Sequence, residues 1–412
     1  MECFRAINFK TISALGFSLF LIACSKEKTE ETVFPENKPE QSNKLTDCQN
    51  QQNSFVVRRE DGQIEFYQDI DKEVFLERHV RPRLHEIQQV EFNKTYQIHQ
   101  SASVQSSTEE LKNWGQTLIG ASDVWDQNIM GQGVIVAVVD TALDYTHPQL
   151  KNQLAVNSKE IPNNGIDDDG NGLVDDVYGY DFAQNVATPP KVYTHGTHVA
   201  GIIAAQHETG RIAGLAPQAK ILPIGFISDS SGDLASAVKA LKYAADRGAK
   251  VINASWGGSC DSVILKSTIT DLADKNILVV TAAGNDGNDL DSTPEFPSAY
   301  NLPNQLNVAA IDSASPFYMI GWSNSSFSLV QLAAPGVNIY STVPGGYQFL
   351  DGTSMAAPFV SGAAALLFSM KPNATVSMVK QALMKSVQKG PYRVSTKGRL
   401  DLRRAVEIMK TM

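Results

Sequence analysis

The chain has 412 residues, 42% hydrophobic and 19% charged, which suits one large globular domain with smaller additions. A net charge of −9 excludes the basic footprint of a nucleic-acid binder. Four cysteines are too few to hold a chain of this length together as a disulfide scaffold.

Residues 1–23 read as an export signal. Arg5 and Lys10 precede an apolar run over 12–23 that is too short to span a bilayer as a mature helix. The run stops at Leu21-Ile22-Ala23-Cys24, and a small residue before a cysteine at that point resembles the bacterial lipobox. The resemblance implies that Cys24 is cut free, acylated and left as the new N-terminus. A plain secretory signal with a chance cysteine is the alternative. Ser25, in place of Asp, would by the same resemblance send a Gram-negative lipoprotein to the outer membrane. Residues 24–53, rich in Lys, Glu, Pro, Asn and Gln, read as a disordered tether. Cys3 leaves with the signal and Cys24 is used, so Cys48 and Cys260 remain. In an oxidising compartment they could pair, or stay as two free thiols; their sequence separation says nothing about geometry.

A small α+β module is expected over 54–108. Residues 54–59 alternate weakly and end at the turn signal Asp61-Gly62, and 63–68 alternate again. Residues 74–87 could hold a helix, interrupted at Pro82. Residues 90–98 alternate strictly, as a strand does. A polar linker follows over 101–108.

The main domain, 109–412, alternates strand and helix. Residues 133–140 form a continuous apolar run, the mark of a strand covered on both faces. Similar runs recur at 220–226, 250–255, 277–283 and 306–311, with helical patterns between them at 196–206, 233–247 and 262–274. Two amphipathic helices, 376–387 and 400–410, finish the chain. This alternation predicts an α/β fold, a parallel sheet with helices on both faces. In such sheets the site lies beyond the carboxyl ends of the strands. The polar residues there are Asp140, Ser255 and Asn285.

Gly352-Thr353-Ser354-Met355-Ala356-Ala357-Pro358 opens a stretch that is apolar or small on nearly every side through Met370, so its helix is buried. Pro358 is tolerable in the first turn. Ser354 then sits at a helix N-terminus, where free backbone N–H groups can hold a developing anion. A Ser or Thr N-cap is the commoner use of such a residue. What else the chain carries decides between them. A serine hydroxyl becomes a nucleophile when a neighbouring base takes its proton, and a carboxylate orients that base. His195, in Thr194-His195-Gly196-Thr197-His198, and Asp140, in Val138-Val139-Asp140-Thr141, supply both. Asn285, in Ala283-Gly284-Asn285-Asp286, can donate a side-chain N–H to an oxyanion.

These segments, in the order Asp, His, Ser, resemble the subtilisin-like serine protease family over roughly residues 110–412. The resemblance implies a parallel-sheet, three-layer catalytic domain and hydrolysis of peptide bonds in proteins through an acyl-enzyme. It makes Asp140 the orienting carboxylate, His195 the general base, Ser354 the nucleophile and Asn285 the oxyanion donor, with His198 structural. It makes Ser255, Trp256 and Gly257 the edge that pairs with an extended substrate, and Ala282, Ala283 and Gly284 a wall of the primary specificity pocket. Glu295, before Phe296-Pro297, either lies at the far end of that pocket and favours basic residues before the scissile bond, or is an exposed loop glutamate. The 54–108 module resembles a propeptide that assists folding and inhibits until cut, with cleavage expected in 101–108. The partners implied are protein or peptide substrates, the chain's own propeptide and a membrane reached through the lipid. The protease is expected to be a monomer, and to become soluble if the anchor leaves with the propeptide.

A hydrolase on another α/β fold would carry a Gly-x-Ser-x-Gly elbow, which Gly352-Thr353-Ser354-Met355-Ala356 is not. A silent binding protein would need a substituted site, and all four positions carry the required types.

Residues 167–176, Asp-Asp-Asp-Gly-Asn-Gly-Leu-Val-Asp-Asp, place oxygen donors at alternate positions with a glycine for the turn. Asp167, Asp169, Asn171 and Asp176 are candidate ligands for a structural Ca²⁺; a solvated acidic turn is the alternative. The family's better-known calcium site needs an Asp where this chain has Gln149, so that site is not expected.

Overall fold

The computed structural model describes residues 50–98, 111–187, 189, 191–314 and 318–412. The expected signal, Cys24, Cys48, most of the tether and the 101–108 linker lie outside the described residues. The chain divides between Asn93 and Lys94 into two units, so the boundary falls before the linker and not after it.

The first unit contains β1 (Asn50–Arg59), β2 (Ile64–Tyr67), α1 (Lys72–Phe75) and the first part of β3 (Ile87–Ile98), in the sheet order β3-β1-β2. β1 begins inside the stretch read as tether. β1 and β2 pair antiparallel, Phe55 opposite Tyr67. The helix expected over 74–87 is broken into α1, a π turn at Leu76–Val80 and a 3-10 segment at Arg81–Glu86, because Pro82 has no N–H to give an α-helical ladder. Phe55 stacks on Phe75 with ring centroids 4.1 Å apart, and Val57, Val80, Ile87 and Val90 complete a small core.

The second unit begins at Lys94, so its first strand is the end of β3. Then come α2 (Trp114–Ile119), α3 (Ala121–Trp125), β4 (Ile135–Thr141), β5 (Tyr180–Asp181), α4 (Thr194–Ala204), β6 (Lys220–Ser228) and β7 (Ser231–Asp233). α5 (Leu234–Asp246), β8 (Val251–Ala254), β9 (Trp256–Gly257), α6 (Val263–Asp274), β10 (Leu278–Ala282), β11 (Gln305–Ile311) and β12 (Leu332–Pro335) follow. The chain closes with the hairpin β13 (Ile339–Val343) and β14 (Gly346–Leu350), then α7 (Thr353–Met370), α8 (Val376–Ser386), β15 (Gln388–Lys389), β16 (Gly398–Arg399) and α9 (Leu402–Thr411). Each strand and helix expected from the apolar runs is present, with ends moved by no more than two residues.

The central strands run parallel in the order β12-β11-β10-β8-β4-β6. Strand order reverses at β4, which lies between β8 and β6, and such a reversal opens a crevice at the carboxyl edge. Successive residues of a strand face opposite sides. Val136, Val138, Val251, Leu278, Val280, Leu306 and Val308 share one core with α4 and α7, while α5 and α6 pack against β4, β6 and β10. Both faces are therefore covered, which explains why these strands read as unbroken apolar runs. α7 is long and apolar enough to cross a membrane, yet 89% of its apolar window is buried inside the protein. It is the central core helix of this unit.

Candidate active site

Asp140, near the end of β4, is fully buried. Its Oδ1 lies 2.7 Å from His195 Nδ1 and accepts the Thr141 backbone N–H at 2.7 Å. An acceptor at that distance fixes the proton on Nδ1 and leaves Nε2 as the basic nitrogen. Nε2 is buried and has no hydrogen-bond partner among the described residues, a costly arrangement that marks a functional position. His195 is the second residue of α4, and Gly196 follows it. A Cβ on Gly196 would strike the Thr141 carbonyl and approach Asp140 Oδ1. Glycine is what lets the helix start this close to the strand end; the Gly196 N–H donates to Thr141 Oγ1 at 3.0 Å.

Ser354 is the second residue of α7 and is fully buried. Its Oγ donates to the Ser255 carbonyl at 3.0 Å, and Ser255 Oγ donates back to the Ser354 carbonyl at 3.0 Å. Asn253 in β8 orients Ser255, its Nδ2 donating to Ser255 Oγ at 2.9 Å. Beside it, Asn285 Oδ1 accepts from Thr353 N at 2.9 Å and Thr353 Oγ1 at 2.8 Å, and Thr353 Oγ1 accepts the Gly284 N–H at 3.1 Å. Two donors on Oδ1 fix the rotation of the Asn285 amide and put Nδ2 on its other side. Trp256 Nε1 donates to the Val139 carbonyl at 2.9 Å, tying the end of β4 to the segment after β8. The four candidate catalytic residues are thus joined, through neighbours, at the carboxyl edge of β4, β8 and β10.

Ser255, Trp256 and Gly257, the expected substrate edge, lie at the carboxyl end of β8, and Ala282, Ala283 and Gly284, the expected pocket wall, lie at that of β10 beside it. Glu295 bridges the two. Its neighbour Phe296 pairs with Gly258 through hydrogen bonds of 2.8 and 2.9 Å, while its carboxylate fills the space a Gly284 Cβ would need and accepts from Asn324 Nδ2 at 2.8 Å. Burial, with the charge of Asp286 adding to it, pushes the Glu295 carboxyl up to about 8. The reading of Glu295 as an exposed loop residue does not hold: it is half-buried, because the Phe296–Gly258 pairing holds its segment against the cleft wall.

The end of β3 runs along this cleft. Thr95–Gln97 pair antiparallel with Asp233–Ser231 on one side, and Gln97 and Ile98 pair with Gly257 and Trp256 on the other. Tyr96 is fully buried, edge-on to Trp256 at 5.6 Å, with its hydroxyl 3.3 Å from the Cys260 carbonyl. Cys260 is disulfide-bonded.

The acidic loop forms a separate cluster. Glu160, Asp169 and Asp176 bring carboxylate oxygens within 4.8 Å of one another. Glu160 is 6% exposed; its Oε1 accepts the backbone N–H groups of Asp168 and Asp169, and its buried Oε2 has no partner among the described residues. Asp176 is held by Asn157, Tyr243 and Arg247. Asp167 and Asn171 stand apart from the converging set. The Asp167 carboxylate accepts from Gly170, Asn171 and Gly172 N–H, and Asn171 offers its nitrogen to Asp176. Glu160 is absent from the sequence candidates, since nothing in its spacing from 167–176 links them. Three hard oxygen donors, one of them orphaned, fit a Ca²⁺ ion.

His198 faces the hairpin instead of the cleft. Nε2 lies 3.0 Å from the Ile339 carbonyl and 3.1 Å from that of Gln348, and complete burial holds the ring down to about 3. Gln149 donates to the carbonyls of Gln206 and Ile212, a structural amide where a carboxylate ligand would be required.

Residues 131–402 match the profile of the Subtilase family. Subtilisin-like protease 1 of Plasmodium vivax is 36% identical over 295 residues, 66% of this chain and 47% of that protein. The thermophilic serine proteinase of Bacillus sp. (strain AK1) is 37% identical over 253 residues, 60% of this chain and 55% of its own length. The major intracellular serine protease of Bacillus subtilis (strain 168) is 38% identical over 260 residues, 62% and 74% of the two chains. The match thus spans about half the length of the first two relatives. The crystal structure of fervidolysin from Fervidobacterium pennivorans, a keratinolytic enzyme related to subtilisin, superposes with a TM-score of 0.71 at 24% identity, covering 87% of this chain and 61% of that one; the fold is shared.

Because His198 is held neutral, the unfolded chain binds a proton there below about pH 6.5 that the folded protein refuses, so stability falls with pH towards the folded value of about 3. Between pH 7 and pH 5 this one residue is expected to remove about 2 kcal/mol. Urea unfolding at the two pH values should show a smaller acid loss for His198→Gln than for the unsubstituted protein. An equal loss in both would contradict the assignment.

Proposed function

This chain belongs to the subtilase family, and we propose that it is a serine endopeptidase made as a zymogen and held at the cell envelope by a lipid on Cys24. The observation that carries the enzymatic reading is the buried Asp140–His195 pair at 2.7 Å, with its basic nitrogen unbonded and Ser354 fixed at the start of α7. The reaction requires the Ser354 hydroxyl to turn from the Ser255 carbonyl to Nε2. His195 takes its proton as Oγ attacks the scissile carbonyl, and Asp140 stabilises the imidazolium that forms. The oxyanion falls to Asn285 Nδ2 and the N-terminal end of α7. His195 then protonates the leaving amine, and water repeats the sequence on the acyl-enzyme.

The zymogen reading rests on the end of β3. Thr95–Ile98 lie as a middle strand between Ser231–Asp233 and Trp256–Gly257, which is how an extended substrate would add to this edge. The chain's own segment occupies the place its substrates need. The envelope reading rests on the signal-like run and the lipobox-like Leu21-Ile22-Ala23-Cys24, with Ser25 favouring the outer membrane.

The calcium reading rests on the orphaned Glu160 carboxylate beside Asp169 and Asp176. An ion there would offset the mutual repulsion of these groups and close the loop over 157–176; no catalytic step passes through it.

Labelling with a fluorophosphonate is expected on Ser354, and Ser354→Ala is expected to be unlabelled and to remain a single uncut chain; equal labelling of the variant would remove the serine from its role. Asn285→Ala should lower turnover by about 10²–10³, the loss that follows removal of one such donor in the family's prototype. Little change in a folded variant would take Asn285 out of the oxyanion site. Chelation by EDTA should lower the melting temperature by roughly 5 °C, the loss of about 2–3 kcal/mol of ligand linkage. Glu160→Gln should blunt that response; a melting temperature indifferent to EDTA would leave the loop as a solvated acidic turn.

A further inference from the structure

We propose that Ser361, two turns along α7 from the nucleophile, is a positioning residue for Ser354 and acts through Asn253 and Ser255. The inference rests on the protease reading and adds to the machinery a side chain that touches no substrate.

Four hydroxyl side chains lie on α7: Thr353, Ser354, Ser361 and Ser369. The first two are used at its start. Ser369 bonds back to the Leu366 carbonyl at 2.8 Å, the ordinary local use of a serine inside a helix. Ser361 is fully buried and leaves its own helix, with Oγ 2.8 Å from Asn253 Oδ1 in β8. Residues 354 and 361 stand two turns apart, so both face the same side of α7. Burying a hydroxyl among alanines and leucines is costly unless it meets a partner, and the partner here is on the strand that leads to Ser255.

Asn253 is equally out of keeping with its strand. It is fully buried and lies between Val138 of β4 and Val280 of β10, neither of which can satisfy an amide. Alternate residues of a strand share a face, so Asn253 faces α7 together with Val251, and Ser255 follows on that face. Ser361 and Ser255 bond the two ends of the amide.

The donors can run in one direction only. A carbonyl oxygen accepts and never donates, so Ser255 Oγ spends its single hydrogen on the Ser354 carbonyl at 3.0 Å. The atom that Asn253 presents to Ser255 Oγ must then be a donor, and it is Nδ2, at 2.9 Å. Oδ1 is thereby turned to Ser361, whose hydroxyl donates to it. Ser354 Oγ donates in return to the Ser255 carbonyl at 3.0 Å. Ser255 thus holds the nucleophilic residue at two points, and Ser361 closes the other end of the line. Without its hydroxyl, the buried Asn253 Oδ1 loses the donor that Ser361 supplies, and nothing fixes which way round the amide sits. Turned over, its oxygen would compete with the Ser354 carbonyl for the Ser255 hydrogen. Either outcome loosens the first turn of α7, where small displacements of the reacting hydroxyl cost turnover.

The test uses the full chain, with kcat and KM for succinyl-Ala-Ala-Pro-Phe p-nitroanilide expressed per fluorophosphonate-reactive site. Ser361→Ala is expected to lower kcat and the rate constant of fluorophosphonate inactivation by about three- to tenfold, the rate equivalent of one such hydrogen bond, with KM within about twofold. Ser361→Thr keeps the hydroxyl, and Ser361→Val has the same shape without it. The Thr variant should stay within about twofold of the parent in kcat although its extra methyl lowers the melting temperature. The Val variant should fall as the Ala variant does. Because Ser361 acts through Asn253, adding Ser361→Ala to Asn253→Leu should cost no further turnover. Equal kcat in the Thr and Val variants, parental kcat in Ser361→Ala, a change confined to KM, or a further full loss in the double variant would overturn the proposal and leave the protease reading intact. A parent protein that takes no fluorophosphonate would remove both.

Discussion

The reciprocal hydrogen bonds between Ser255 and Ser354 are the constraint on which the rest of the site depends. They clamp the first turn of α7 to the residue that follows β8, and Thr353 makes a parallel clamp to Asn285 and Gly284 after β10. A helix as apolar as α7 has no preferred rotation from its hydrophobic surface alone, because burial is non-directional. Direction comes from this buried polar seam. Each bond contributes only about 1 kcal/mol net, but an unmatched partner there would cost about 1–3 kcal/mol. Misrotation of the helix is therefore penalised several times over, and the nucleophile is held at one place on the sheet edge.

Three carboxylates, two buried and one half-buried, show how surroundings divide one functional group among different tasks. Asp140 accepts from His195 and a backbone N–H, which suits a group that orients a base. Asp176 is held by Tyr243, Arg247 and two asparagines, and anchors a loop. Glu295 meets an amide and a neighbouring negative charge, and its proton affinity rises. The difference is set by which groups each carboxylate meets on burial.

The sheet edge also receives the strand that opens the second unit. Main-chain pairing holds Thr95–Ile98 between Ser231–Asp233 and Trp256–Gly257, and such pairing depends on backbone groups common to all residues.

The α/β architecture was legible in the residues alone, because strands covered on both faces must be apolar throughout and the helices over such a sheet must repeat near 3.6 residues; the runs at 133–140 and 277–283 stand out for that reason. Asp140, His195, Asn285 and Ser354 were legible too, since each lies in a short local motif at a strand end or helix start. β12 escaped notice because Leu-Ala-Ala-Pro is too short and too small to carry a period, and β1 began earlier than its polar first residues suggested. The remainder came only with the folded chain. Glu160 joins Asp169 and Asp176 across a loop, Glu295 is turned inward by contacts with Gly284 and Asn324, and Thr95–Ile98 find their partners more than a hundred residues away. Such juxtapositions arise from the path of the backbone between elements, and no local pattern of residue types encodes that path.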